Sequence, residues 1–397
     1  IAVNGEKTIP VAEENKLKKI SKELTEKSVL TEENIWAKTD GTPIIVDMSN
    51  MTGILTTRFF RSGVFEGATK INSDAIKVRL AKVQACYACP LACKRLIKVK
   101  GNILKAPEYE TLATAGSNCG ISDLETITEF NYICGDLGID TISTANTIAF
   151  IMELYEEGML KKDMLDGIEA TFGNKKALLE ISKKIGNNEG CGKIFSAGVK
   201  EAIEKLRLSP EKYAIDVKGL ELPGYDPRGT WGMALAYSTA DRGACHLRAW
   251  AVSQDAFGKM EPKTFKDKPQ LVKNLEDLNS IKWSLIICDM WLINYEEMAL
   301  LLSATWGQNV RPQELEIAGE RIWNLGRVYN VREGFSRNDD KLPLKFFKQP
   351  LIGGSTDGVK VLEEEFDNAL DEYYRLRGWD SNGVPEEETL KRLGIAL

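Results

Sequence analysis

Histidine is nearly missing from this sequence: 397 residues carry one, His246. A role that needs an imidazole near neutral pH therefore has a single candidate. Long apolar runs are missing too. The most apolar stretch, Trp283–Ile293, falls well short of the roughly 20 residues that cross a bilayer and is broken by Asp289, so no membrane role is expected. Clusters of basic charge are also lacking. With 52 Lys and Arg against 58 Asp and Glu, scattered along a chain of net charge −6, nothing provides a footprint for phosphate backbones, which excludes a nucleic-acid role. The excess acid reads as a solvated face. No signal-like or arginine-rich start is present, and the cysteines do not follow a disulfide framework, so a reducing cytoplasm is expected. No repeat of solenoid period is visible.

What is present is ordinary for a large globular chain: 43% apolar and 28% charged residues, enough for two cores. Helical patterns dominate. Ser122-Asp123-Leu124-Glu125 has the form of a capping box before a run ending near Gly138, and Asp140 is placed to cap a second helix through Phe150 towards Gly158. Apolar residues recur at three-to-four spacing over about Lys175–Ile185, Lys193–Leu206, Pro312–Val328 and Val361–Leu376. Alternation over Arg95–Lys100, followed by Gly101-Asn102, predicts a small hairpin. Ala214-Ile215-Asp216-Val217 leads into the Pro- and Gly-rich run Leu222–Gly229. The fold class is mainly α: two helical domains, residues 1–213 and 214–397, with small β hairpins and a site at their interface.

Three of the eight cysteines fall in one cluster, Cys86-Tyr87-Ala88-Cys89-Pro90-Leu91-Ala92-Cys93. A C-x2-C-x3-C turn presents three thiolates to one centre and leaves a fourth ligand to come from elsewhere, as in four-cysteine iron–sulfur sites. Structural zinc is the alternative, but it usually takes two separated ligand pairs and no second pair exists. Candidates for the fourth position are Cys119, Cys134, Cys191, Cys245 and Cys288. Each is by default a small buried hydrophobe, and spacing does not choose among them.

Around these cysteines the chain resembles the aldehyde:ferredoxin oxidoreductase family over nearly its whole length. The matches run in order: Cys86–Cys93, Ala106–Leu112, Gly116–Ile121, Leu137–Ser143, Leu222-Pro223-Gly224-Tyr225-Asp226-Pro227-Arg228-Gly229, Asp241-Arg242-Gly243-Ala244-Cys245-His246-Leu247-Arg248, Cys288 and Val328–Gly334. In that family a tungsten atom is held by two pterin-dithiolenes beside a [4Fe–4S] cluster, and aldehydes become carboxylic acids with electrons leaving to ferredoxin. The resemblance implies the same parts here: the cluster, a tungsten or molybdenum bis-pterin, a small aldehyde, and ferredoxin or another carrier. It also implies that Cys86, Cys89, Cys93 and Cys288 ligate the cluster. The pterin loops, of form D-x-x-G-L-D and D-x-x-G-L-C, fall at Gly135–Asp140 and Trp283–Cys288, with Ile139, Asp140 and Ile287 as cofactor-facing residues. Gly135 and Trp283 stand where an aspartate is expected, and Ile286 stands for the glycine. Arg242 and Arg248 belong to the other pterin-facing segment, where a guanidinium pairs with phosphate or ring groups. The ordinary readings are a helix N-cap for Asp140 and surface ion pairs for the two arginines.

Glu110 and His246 are the proton-transfer pair this resemblance selects, with Glu108 a close competitor. Glu110 is expected to take a proton from water attacking the aldehyde while His246 hydrogen-bonds the developing oxyanion. With one histidine, a dimer-bridging metal built from glutamate and histidine is not expected. The family normally begins with a β-rich domain that floors the pterin site. Nothing here matches it, and the opening Ile1-Ala2-Val3-Asn4-Gly5-Glu6 reads as the exit from such a domain, so an N-terminal domain or partner chain is expected to complete the site. Two other functions fit the same residues: the tungsten subunit of a benzoyl-CoA reductase-type enzyme, and a cluster-only electron-transfer fragment.

Overall fold

Four short polar side chains start four of the principal helices. Asp123, Asp140, Asn174 and Asn294 each turn an oxygen onto a backbone N–H three residues on, satisfying a donor that the first helical turn leaves open. The helices they begin are Leu124–Leu137, Thr141–Glu156, Lys175–Asn187 and Tyr295–Trp306. The first ends at Gly138 in the left-handed region, which glycine adopts without strain. Its cap is Asp123 rather than Ser122, one residue later than the sequence pattern suggested. The computed structural model describes residues 5–6, 9–29, 31 and 34–396. Ile1–Asn4, most of the segment read as the exit from a preceding domain, lies outside them.

The expected helices at the C-terminal end are Pro312–Arg332 and Glu363–Arg377. The run Lys193–Leu206 is instead two pieces, Gly192–Phe195 and Gly198–Leu206. Gly198 has φ +88°, and a Cβ there would sit 2.5 Å from a Glu221 carboxylate oxygen, so a tertiary approach breaks a helix that periodicity alone would continue. The expected hairpin forms from β2 (Lys94–Val99) and β3 (Asn102–Lys105), turning through Lys100 and Gly101, both at positive φ. A strand that the sequence did not announce, β1 (Leu80–Gln84), adds to it antiparallel, and the cysteine loop is the connection between β1 and β2. The other sheet is the two-residue pairing of Asp216–Val217 with Leu220–Glu221.

The fold is therefore mainly α with small antiparallel sheets. Its largest buried cluster takes residues from Ile45 to Trp379, on both sides of residue 213. A smaller one, with Leu24, Ile281, Met298 and Leu302, packs the helix Tyr295–Trp306 against the end of the helix Lys268–Ser284. Among the described residues no helix is long and apolar enough to cross a membrane.

Candidate functional site

In the cysteine loop, Ala88 and Ala92 take left-handed conformations, φ 52° and 47°, each immediately before a cysteine. Such residues cost about 1–2 kcal/mol apiece, and they reverse the chain so that Cys86, Cys89 and Cys93 share one short loop. Cys89 N–H donates to the Cys86 carbonyl at 3.1 Å. Buried Arg95 braces the loop's end, donating to the carbonyls of Ala92 at 2.8 Å and Lys38 at 2.6 Å. Gly41 permits a close approach here: at φ +69°, its Cβ would lie 2.6 Å from the Cys93 carbonyl oxygen.

Cys288 arrives from the far part of the chain. It follows the helix Lys268–Ser284 through Ile286, itself at φ 59°. Met290 and Trp291 pack with Cys89 on the small buried pair Ala37 and Leu91, so the two segments meet. Burial raises the thiols of both Cys93 and Cys288, and each feels the other members of the group: Cys93 feels Cys288 and Cys89, and Cys288 feels Cys89. The remaining four cysteines are buried apart from this group as free thiols; burial holds Cys119 far above the ordinary range, Cys134 at about 12 and Cys191 at about 11. Of the five candidates for a fourth ligand, Cys288 is the one brought to the loop. Among the described residues no three His, Cys, Asp or Glu groups converge closely enough to hold one metal ion. An all-sulfur set spread over two segments suits a polynuclear iron–sulfur cluster better than a closed tetrahedral zinc site.

Glu110 sits in the short helix Tyr109–Thr111, which runs directly into a π-helical turn, Leu112–Gly116, a distortion common at functional sites. One carboxylate oxygen, Oε2, accepts from Gly224 N–H at 2.6 Å; the other, Oε1, is buried without a hydrogen-bond partner and lies 3.6 Å from His246 Nε2. The pair has the spacing of an ion pair but is not one. Burial raises Glu110 to about 8, with the charge of Asp140 adding to the rise and the Gly224 N–H opposing it. Burial and the charge of Arg242 lower His246 to about 3. Near neutrality both groups are therefore mostly uncharged. Glu108, the competitor, is engaged elsewhere, accepting from the Thr42 hydroxyl at 2.6 Å and facing Lys105.

Aromatic residues wall this pair. Tyr109 stacks on Tyr225 with centroids 4.8 Å apart, Tyr225 tilts against His246 at 6.2 Å, and Trp250 Nε1 donates to the Tyr225 hydroxyl at 3.1 Å. The Tyr109 hydroxyl donates to the Gly224 carbonyl at 2.7 Å, so Gly224 is held from both sides. None of Tyr109, Tyr225, Trp250 or Gly224 was singled out from sequence. Three of them lie inside the matched segments, which was the available signal.

The cofactor-facing candidates are more open. Asp140 is exposed and caps its helix, accepting from Ser143 N–H at 2.7 Å, while its charge reaches Glu110 and Arg242. Ile139 and Ile287 are half-buried. Arg242 is exposed and donates to Cys245 Sγ at 3.0 Å. Arg248 donates to Asp241 at 2.6 Å and lies 4.6 Å over the Trp283 ring. Trp283, at a position where the family pattern has an aspartate, also donates its indole N–H to Asp289 at 2.9 Å, so a carboxylate is present close by. Asp226 and Arg228 are different: they form a fully buried ion pair, and Arg228 also donates to the Gln349 and Phe60 carbonyls, tying distant segments together.

A mostly helical scaffold with four cysteines gathered from two segments, next to a buried carboxyl–imidazole pair, defines a redox-protein architecture. The family described as aldehyde ferredoxin oxidoreductase, domains 2 and 3, matches residues 15–395. The chain belongs to this family. It is 34% identical to the tungsten-containing aldehyde ferredoxin oxidoreductase of Pyrococcus furiosus and to that of Thermococcus kodakarensis, in each case across 100% of this chain and 66% of the relative. It thus spans about two-thirds of the length of these relatives. It is 30% identical to the WOR-like subunit of an aliphatic sulfonate oxidoreductase of Pyrococcus furiosus, over 80% of this chain and 51% of that one. Among solved structures, the active-site complex BamBC of benzoyl coenzyme A reductase shares the fold, with TM-score 0.77 over 99% of this chain and 67% of the other, at 20% identity.

Proposed function

We propose that this chain carries the iron–sulfur and substrate parts of an enzyme that oxidises an aldehyde to a carboxylic acid, passing electrons through a [4Fe–4S] cluster to ferredoxin or another carrier. The observation that carries this reading is the buried Glu110–His246 pair, with one carboxylate oxygen left unpartnered beside a neutral imidazole. That orphaned oxygen fits a site whose remaining partners are a cofactor and a substrate. Cys86, Cys89, Cys93 and Cys288 would hold the cluster. Arg242, Arg248, Asp140, Ile139 and Ile287 would face a bis-pterin carrying tungsten or molybdenum. That cofactor, when bound, supplies the acceptor for the two electrons removed from the aldehyde.

Within this reading the chain's own groups handle water and protons. Ionised Glu110 takes a proton at Oε1 from the water that adds to the carbonyl carbon. A carboxyl poised near 8 does this close to neutral pH, where an ordinary glutamate would be too weak a base. His246, assigned the tautomer with a proton on Nε2, donates to the oxygen on which charge develops. Its low pKa keeps it a neutral donor rather than an acid. Tyr225 and Trp250 orient the ring and exclude bulk water. A cytoplasmic location belongs to the same reading, since all eight cysteines are free thiols.

The test is metal analysis of the protein purified without oxygen, together with aldehyde-dependent reduction of ferredoxin. About four irons, a tungsten or molybdenum, and aldehyde oxidation are expected. Iron with no aldehyde-dependent reduction would reduce the chain to an electron-transfer module, and zinc in place of iron would overturn the reading.

A further inference from the structure

Most of the buried cations in this fold face a carboxylate. Arg228 pairs with Asp226, Arg377 with Glu276 and Asp277, Lys268 with Asp255, and Lys218 and Arg327 with Asp340. Lys345 is buried against Phe59, donating to its carbonyl and lying over its ring, with Glu153 in electrostatic reach. Two others, Arg95 and Lys282, are each 5% exposed and direct their donors to main-chain carbonyls. Arg95 holds Ala92, Lys94 and Lys38. Lys282 holds Asp289 at 3.2 Å and Trp291 at 3.1 Å, the residues just after Cys288. Among the described residues neither cation has a carboxylate at ion-pair distance. Asp289 is within electrostatic reach of Lys282, but its Oδ1 accepts from Trp283.

A buried cation without a counter-ion is costly, and structures keep one where something negative completes the site. Here the two flank the cysteine group from opposite sides in sequence: Arg95 stands two residues after Cys93, and Lys282 lies within electrostatic reach of Cys288. We propose that Lys282 and Arg95 are positioning residues for the [4Fe–4S] cluster, each clamping one arm of the cysteine ligand set while compensating the negative charge of the thiolates. The proposal rests on the cluster reading above. Four thiolates outweigh the charge of the iron–sulfide core, and each electron taken up adds to the excess. A fixed cation on the buried side therefore makes reduction easier.

The full chain is purified anaerobically as wild type and as K282M, K282Q and K282R. Iron is counted, and the cluster midpoint potential is followed by paramagnetic resonance during a redox titration. With iron content equal to wild type, K282M and K282Q should shift to more negative potential, while K282R, which keeps the charge, should stay at the wild-type value. Loss of the cluster in K282M and K282Q with retention in K282R would support the same assignment, because glutamine keeps the hydrogen-bond donors and lacks only the charge. A wild-type midpoint in K282M and K282Q, or loss of the cluster in K282R as well, would overturn it. Absence of iron from the wild-type chain would instead sink the cluster reading, a failure visible before any variant is compared.

Discussion

Glu110 Oε1 lies 3.6 Å from His246 Nε2 with no hydrogen-bond partner of its own, and burial holds the two groups uncharged near neutrality. Because the proton-accepting form of Glu110 is the carboxylate, turnover should rise with pH up to about 8 and then level off. Replacing Glu110 with Gln removes the base at unchanged shape. Activity should fall by roughly 10²–10⁴-fold, the span general bases provide, with metal content unchanged. A variant that keeps wild-type turnover would remove Glu110 from the mechanism.

The same substitution carries a stability consequence of definite sign. Glu110 has its carboxyl raised from 4.5 to about 8 by burial, so the unfolded chain ionises first and the native state loses stability as pH rises from 4.5 towards 8. Above that window Glu110→Gln should be more stable than wild type although it is inactive. Denaturant melts at pH 6 and pH 9 check this; the advantage of the variant should grow with pH.

His246 offers a direct probe because no other imidazole is present. Its ring proton resonances should stay in the neutral position from pH 8 down to about 4, then move near pH 3. The sign for stability is the reverse of that for Glu110: the unfolded histidine binds a proton below 6.5 and the folded one does not, so stability falls as pH drops from 6.5 towards 3. An NMR titration with a midpoint near 6.5 would show an exposed, ordinary histidine and remove the neutral donor from the proposed chemistry.

The parts of this molecule legible in the sequence are those decided locally. Asp140 as a helix cap and the turn at Gly101 follow from neighbours within a few residues, and the C-x2-C-x3-C loop announces itself by spacing. Cys288 does not, because its place depends on Met290 and Trp291 packing with Cys89 across two hundred residues of chain, and only family resemblance singled it out. Gly198 shows the converse error: a good local helix pattern is broken by Glu221, which sequence periodicity cannot see. Trp283 was read as a departure from an aspartate, and the structure places Asp289 against its indole nitrogen, a pairing no spacing rule would suggest.

Cysteine substitutions should separate the cluster group from the buried thiols. Cys288→Ala, at an exposed position, should reduce iron content and leave the fold intact, whereas Cys134→Ala, deep in the largest core, should keep full iron and lose stability by about 1 kcal/mol for a small cavity. Iron analysis paired with thermal melts reads both. Equal iron in the two variants would exclude Cys288 as a ligand.

Gly224 is the point at which backbone packing and the proposed chemistry are hardest to separate, and a single methyl group tests the connection. Its N–H holds Glu110 Oε2, its carbonyl accepts from Tyr109, and a Cβ at this position would lie 2.6 Å from Ala113 Cβ and 3.2 Å from the same glutamate oxygen. Gly224→Ala should therefore displace Glu110 from His246 as well as overpack the core, at a cost of about 1–3 kcal/mol. The added Gly224→Ala/Ala113→Gly double variant relieves the contact between methyl groups but not the one on the carboxylate. Stability should recover in the double variant while turnover stays low; recovery of both would mean that Gly224 serves packing alone.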